Sequence, residues 1–141
     1  MGRINVGKVI VGGLVAGVVM NILDFLINNY LLKGTFDAAL IARNLSPDAM
    51  MATNIITQMV ALDFVMAIVL VFTYAAIRPR FGAGPKTAII AALILAAATS
   101  TLAGYFTAMG FFPWSTWVAG TVASTANFLV SGLVGGAFYN E

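Results

Sequence analysis

Residues 87–140 read TAIIAALILAAATSTLAGYFTAMGFFPWSTWVAGTVASTANFLVSGLVGGAFYN, and none of them carries a charge. A soluble core built from a 141-residue chain cannot hide so long an apolar stretch. The link Gly110-Phe111-Phe112-Pro113 divides it into two runs, 87–109 and 114–139, each close to the ~20 residues that cross a bilayer as a helix. Phe111, Phe112, Trp114 and Trp117 around that link form an aromatic belt of the kind found at headgroup level. Helix is the expected state, because lipid offers no partner to an open strand edge.

Two more runs of the same kind lie upstream, at 9–32 and 55–77. The fold class follows: an all-α, polytopic membrane protein with four transmembrane helices in a single domain, 1–141. Composition agrees, with 61% hydrophobic and 9% charged residues against the ~25% charge of soluble domains. Arg3 and Lys8 precede the first run as in a signal peptide. That run is about twice the ~7–15 residues of a signal core, and it holds Asn21, Asp24, Asn28 and Asn29, so it reads as a retained span. The chain has no Cys and no His, so disulfides, thiol chemistry, Ser/His/Asp catalysis and His/Cys metal ligation are all outside its means. No cofactor is expected, and the scattered basic residues form no nucleic-acid patch.

The links differ in character. The first, 33–54, holds a candidate short interfacial helix over Phe36–Asn44 with Thr35 as its cap. It ends in Ser46-Pro47-Asp48, which reads as a helix start: Ser at the cap, Pro at the first position, Asp at the positive dipole end. The second span is therefore expected to begin in that link. The second link, 78–86, is a short basic turn containing Pro79, Gly82, Gly84 and Pro85. Arg3, Lys8, Arg78, Arg80 and Lys86 lie at one side of the spans, and Lys33 and Arg43 at the other. This asymmetry predicts both termini and the second link in the cytoplasm, with the short helix extracytoplasmic.

Asp24 and Asp63 are the residues that ask for a function. Each lies inside an apolar run with no Lys, Arg or His to balance it. A charge at bilayer depth costs roughly 2.5–3.5 kcal/mol on insertion scales, and such residues usually face a bundle interior or a wet cavity. Asp24 is eight residues before the end of its run and Asp63 eight after the start of its own. At ~1.5 Å per residue both lie about 12 Å below the same boundary. If they face one another, repulsion and desolvation oppose two simultaneous charges. A shared proton or a captured cation would resolve the conflict.

At about 100° per residue, Gly13, Gly17, Asn21, Asp24 and Asn28 fall on one face of the first helix. Gly120, Ser124, Asn127, Ser131 and Gly135 share a face of the fourth, and Ala96, Ser100, Gly104 and Thr107 a face of the third. The glycines and hydroxyls of these stripes, Gly13, Gly17, Ser100, Gly104, Gly120, Ser124, Ser131 and Gly135, are candidates for close helix packing. Asn21, Asn28 and Asn127 are candidate neutral ligands beside the two aspartates, unless Asn21, Asn28, Ser124 and Asn127 merely bond one another across helices. On the second helix Asp63 points away from the Asn54/Gln58/Ala61 face, so that helix has two polar directions, one of them available to a neighbouring subunit.

The chain resembles a group of small bacterial four-helix integral membrane proteins of unknown function. The likeness rests on Asn21, on the link Ala42-Arg43-Asn44-Leu45-Ser46-Pro47-Asp48-Ala49-Met50 and on a Gly/Ala-rich third helix, and it implies topology and a bacterial cytoplasmic membrane but no activity. From the residues themselves, the expected function is an oligomeric transporter or channel for a cation or cationic solute. The alternative is a non-catalytic accessory or scaffold subunit of a larger membrane complex. The expected surroundings are the lipid bilayer and either copies of the chain or other subunits. No enzyme signature is present.

Overall fold

The computed structural model describes residues 3–139. Their architecture is helical throughout: α1 (Val6–Leu26), α2 (Lys33–Ile41), α3 (Pro47–Met50), α4 (Thr53–Phe81), α5 (Pro85–Ala108) and α6 (Trp114–Phe138). A π-helical turn, Ile27–Leu31, extends α1, so that the first span runs for 26 residues; α4, α5 and α6 have 29, 24 and 25. At ~1.5 Å per residue even α5 is about 36 Å long, enough to cross a hydrocarbon layer of ~30 Å. All four are apolar enough to do so, with mean hydropathies from 1.4 to 2.4.

The four long helices form one bundle. α1 packs on α4 and α6, α5 packs on α6 and α4, and α4 meets α6 across the middle. Residue size is distributed in the reverse of a soluble protein. Gly12, Gly13, Ala16 and Gly17 of α1 are buried, as are Ala88, Ala91, Ala92 and Ala96 of α5. Ile10, Leu14, Val18, Ile22 and Phe25 on the other face of α1 are 44–59% exposed. Without a hydrophobic drive between helices in lipid, close backbone approach supplies the attraction, and small residues permit it. A Cβ on Gly13 would lie 2.7 Å from Ile68 Cα, and one on Gly135 would lie 2.9 Å from Ala16 Cβ. The α1–α4 and α1–α6 contacts both depend on this absence of side chain.

Each end of the bundle is tied by specific contacts. At one end Tyr74 OH accepts from the Gly84 N–H at 3.1 Å, and Tyr139 OH accepts from the Asn5 N–H at 3.1 Å. The two rings meet edge to face at 6.0 Å, and the Arg78 guanidinium lies 5.6 Å from the Tyr139 ring. At the other end α5 closes in a Schellman motif. The Phe111 N–H bonds to Phe106 O and the Gly110 N–H to Thr107 O, Gly110 has φ 85°, and the Phe106 and Phe111 rings touch at 6.1 Å. The Gly110–Pro113 link is tight because of this motif.

The first link departs from its sequence reading in two ways. The short helix spans Lys33–Ile41, not Phe36–Asn44, and Thr35 lies inside it. It starts early because the π turn hands the chain on directly at Leu32, and Lys33 pairs with Asp37 at 2.9 Å one turn later. The Ser46-Pro47-Asp48 start is real but yields only the single turn of α3; the chain leaves helix at Met51 and Ala52 before α4 begins at Thr53. Arg43 fastens the link to the α5–α6 turn by donating to Gly110 O and by lying 5.7 Å from the Phe112 ring, while Phe36 meets Phe112 edge to face at 6.0 Å.

Candidate functional site

Asp24 on α1 and Asp63 on α4 meet. Their carboxyl groups are near enough across the α1–α4 contact to act on one another. Both are partly buried. A direct hydrogen bond between two carboxyls requires a proton on one of them, since two carboxylates only accept. The bundle places them at the same level by simple antiparallel packing of the first two spans. Gly13 and Gly17 make that packing close: a Cβ on Gly17 would lie 2.3 Å from the Phe64 ring, one residue beyond Asp63.

The third member of the site comes from α6. Asn127 is buried, and its Nδ2 donates to Asp24 Oδ1 at 2.6 Å and to Met20 O at 3.1 Å. Its Oδ1 accepts from Ser131 Oγ at 2.9 Å. Ser131 is fully buried. The amide is thus fixed in orientation: the hydroxyl holds its oxygen, which leaves the nitrogen to face the carboxyl. Asn127 uses both of its N–H groups on α1, one on backbone and one on Asp24.

The other candidates are distributed differently. Asn21 Nδ2 donates to Gly17 O at 2.9 Å in its own helix and reaches Val60 O on α4 at 3.5 Å, so it borders the carboxyl pair without touching it. Asn28 is exposed and donates to the backbone carbonyl of Asp24 at 2.8 Å. Asn29 does the same to Phe25 O at 2.9 Å. These bonds accompany the π turn, in which the Leu32 N–H reaches back five residues to Ile27 O. Side-chain amides cover carbonyls where the α pattern shifts, and π turns of this kind are frequent at functional sites. Ser124 donates to Thr121 O within α6. Of the four residues Asn21, Asn28, Ser124 and Asn127, Asn127 alone bonds another's side chain across helices, and its partner is Asp24.

Among the packing stripes, Gly104 lies 3.4 Å, measured from a Cβ position, from the Trp117 indole nitrogen, which donates to Ser100 O at 2.9 Å. Gly120 has no atom within 4 Å of a Cβ position and makes no close helix contact within the chain. One contributor to the site escapes a reading of side chains, and another was placed by the sequence only as a packing residue. The Met20 carbonyl is backbone and carries no residue signature. Ser131 falls on the α6 stripe, and its spacing of four from Asn127 is the signal that links them.

Among the described residues, no group of three Asp, Glu, His or Cys side chains could hold a metal ion. The donor set is two carboxyls and one amide. No known protein family, curated protein or solved structure matches the chain.

Proposed function

We propose that the chain is a small transporter or channel for a cation or cationic solute, working as an oligomer in a bacterial cytoplasmic membrane. The observation that carries this reading is the meeting of Asp24 and Asp63 inside two membrane-spanning helices whose apolar runs contain no base. Such a pair holds a proton between its members, and an arriving cation can take that proton's place. The exchange couples cation binding to proton release at one position. Asn127 holds Asp24 toward the pair and offers a neutral oxygen once its own bonds rearrange. The modest donor set suits a monovalent or organic cation better than a divalent metal, which asks for six or more oxygen ligands or for imidazole and thiolate.

Orientation and assembly belong to the same reading. Arg3, Lys8, Arg78, Arg80 and Lys86 gather at the end tied by Tyr74 and Tyr139, which we assign to the cytoplasm, and α2 then rests at the opposite interface. Asn54 and Gln58 are exposed on the outer face of α4. In lipid these amides are best answered by a second copy. We read the chain as non-catalytic.

The test is proton release in proteoliposomes containing a trapped pH dye. Addition of monovalent and quaternary-ammonium cations is expected to release protons from the parent chain. Asp24→Asn and Asp63→Asn are each expected to abolish that release. Equal release from both variants sinks the proposal, and co-purification of the chain with a larger protein in mild detergent would shift the reading to an accessory subunit.

A further inference from the structure

At the end of the bundle tied by Tyr74 and Tyr139 lies a recess of about 330 Å³, within the roughly 300–1,000 Å³ range of small-molecule pockets. Arg3, Arg78 and Tyr139 line it, with Ile4, Ala75 and Ala83 between them. Its walls are pinned. Tyr139 is buried and its hydroxyl accepts from the Asn5 N–H at 3.1 Å, while Asn5 Oδ1 caps α1 by accepting from the Lys8 N–H at 3.1 Å. The Arg78 guanidinium lies 5.6 Å from the Tyr139 ring, a contact that holds one cation against the wall. Arg3 brings a second cation from an exposed position. Arg78 is 15 residues beyond Asp63 on α4, or about 22 Å along the helix, so the recess is separate from the carboxyl pair.

The geometry points to a binding site for the phosphate of an anionic phospholipid headgroup, bridged by Arg3 and Arg78. The planar fork of arginine matches phosphate and carries five donors. Depth favours a lipid as the source of that phosphate. The apolar run of α4 ends at Ile77 and Arg78 follows it, at the level where acyl chains give way to headgroups. Ala75, one turn below Arg78, joins Ile4 and Ala83 in an apolar lining that suits a glycerol backbone and is of no use to a free phosphate. Charge favours an anionic headgroup over a zwitterionic one. Among the described residues, no Asp or Glu lines the recess to receive an ammonium group. Asp24, Asp37, Asp48 and Asp63 all lie toward the other end of the spans. Glu141, two residues beyond Tyr139 in the sequence, is outside the described residues. Basic recesses between membrane helices are a recurring form of headgroup site. Binding here depends neither on which way the bundle is oriented nor on cation exchange at the carboxyl pair.

The experiment titrates the full chain in maltoside micelles with dihexanoyl phosphatidylglycerol, a monomeric short-chain lipid, by isothermal calorimetry. Saturable binding is expected. Arg3→Gln with Arg78→Gln is expected to weaken it by about thirtyfold. Arg80→Gln with Lys86→Gln removes the same charge at the same end but outside the recess, and is expected to weaken it by about twofold at most. Ala83→Glu, which sets an acid at an exposed position of the recess, is expected to abolish binding while leaving the helical circular dichroism intact. Dihexanoyl phosphatidylcholine is expected to bind about tenfold more weakly, and inorganic phosphate to compete poorly. Equal losses in the two double variants overturn the proposal by showing a diffuse basic surface, and equal binding of the two lipids overturns it by showing a site blind to charge. Inorganic phosphate displacing the lipid at equal concentration also overturns it, by assigning the recess to a soluble anion. Should Arg78→Gln lose its helicity, Arg3→Gln and Ala83→Glu, both at exposed positions, decide alone.

Discussion

The side-chain amide of Asn127 donates to Asp24 Oδ1 at 2.6 Å, joining α6 to α1 at a point 103 residues apart in sequence. The same nitrogen also holds Met20 O, and Ser131 holds the amide oxygen. Asn127 and Ser131 are buried, Asp24 partly so, and the polar atoms of the amide are all answered, the condition under which a polar core fixes one arrangement of helices.

Removal of Asn127 should therefore cost more than removal of its support. Asn127→Ala is expected to destabilise the bundle by about 1–2 kcal/mol, the range of interhelical bonds in membranes, and Ser131→Ala, whose bond to Asn127 lies within α6, by less. Reversible unfolding in mixed detergent and dodecyl sulfate micelles measures both. Equal losses would mean that Ser131 packs and does not orient.

Asp24 offers a separation of fold from exchange. Asp24→Asn keeps an oxygen for Asn127 to bond and should change stability by less than about 0.5 kcal/mol, while proton release on cation addition disappears. Asp24→Leu leaves Asn127 with one unanswered N–H and should lose about 1–3 kcal/mol in the same assay. If the two variants unfold alike, the Asn127 contact contributes nothing to the bundle.

The glycines divide by what surrounds them. A Cβ on Gly13 meets the Ile68 backbone at 2.7 Å, so Gly13→Ala must push α1 and α4 apart, at an expected cost of about 1–3 kcal/mol. Gly120→Ala meets nothing. It is expected to stay within about 0.5 kcal/mol of the parent, or to gain slightly from helix propensity. Thermal unfolding followed by circular dichroism tells them apart.

Arg43 holds the first link down. Arg43→Gln loses the bond to Gly110 O and the contact with the Phe112 ring. Amide hydrogen exchange over residues 36–45 is expected to quicken by about tenfold, while the long helices keep their protection. Unchanged exchange there would show that Phe36 against Phe112 is enough to dock α2.

How much of this was legible in the residues differs from element to element. The absence of charge from 87 to 140 determined the third and fourth spans, and Gly110 before two phenylalanines determined the turn between them, because helix length in lipid and φ > 0 at a helix end are local demands. The matching depth of Asp24 and Asp63 was equally readable, since antiparallel spans count residues from a shared boundary. The tertiary structure alone decided that the two carboxyls turn toward one another, that Asn127 reaches Asp24 while Asn28 folds back on its own helix, and that Gly120 borders open space with no helix of the chain packed against it. Periodicity assigns a residue to a face of its helix. Which neighbour that face meets depends on how four helices rotate and approach, and that is settled by the sum of all their small-residue contacts at once.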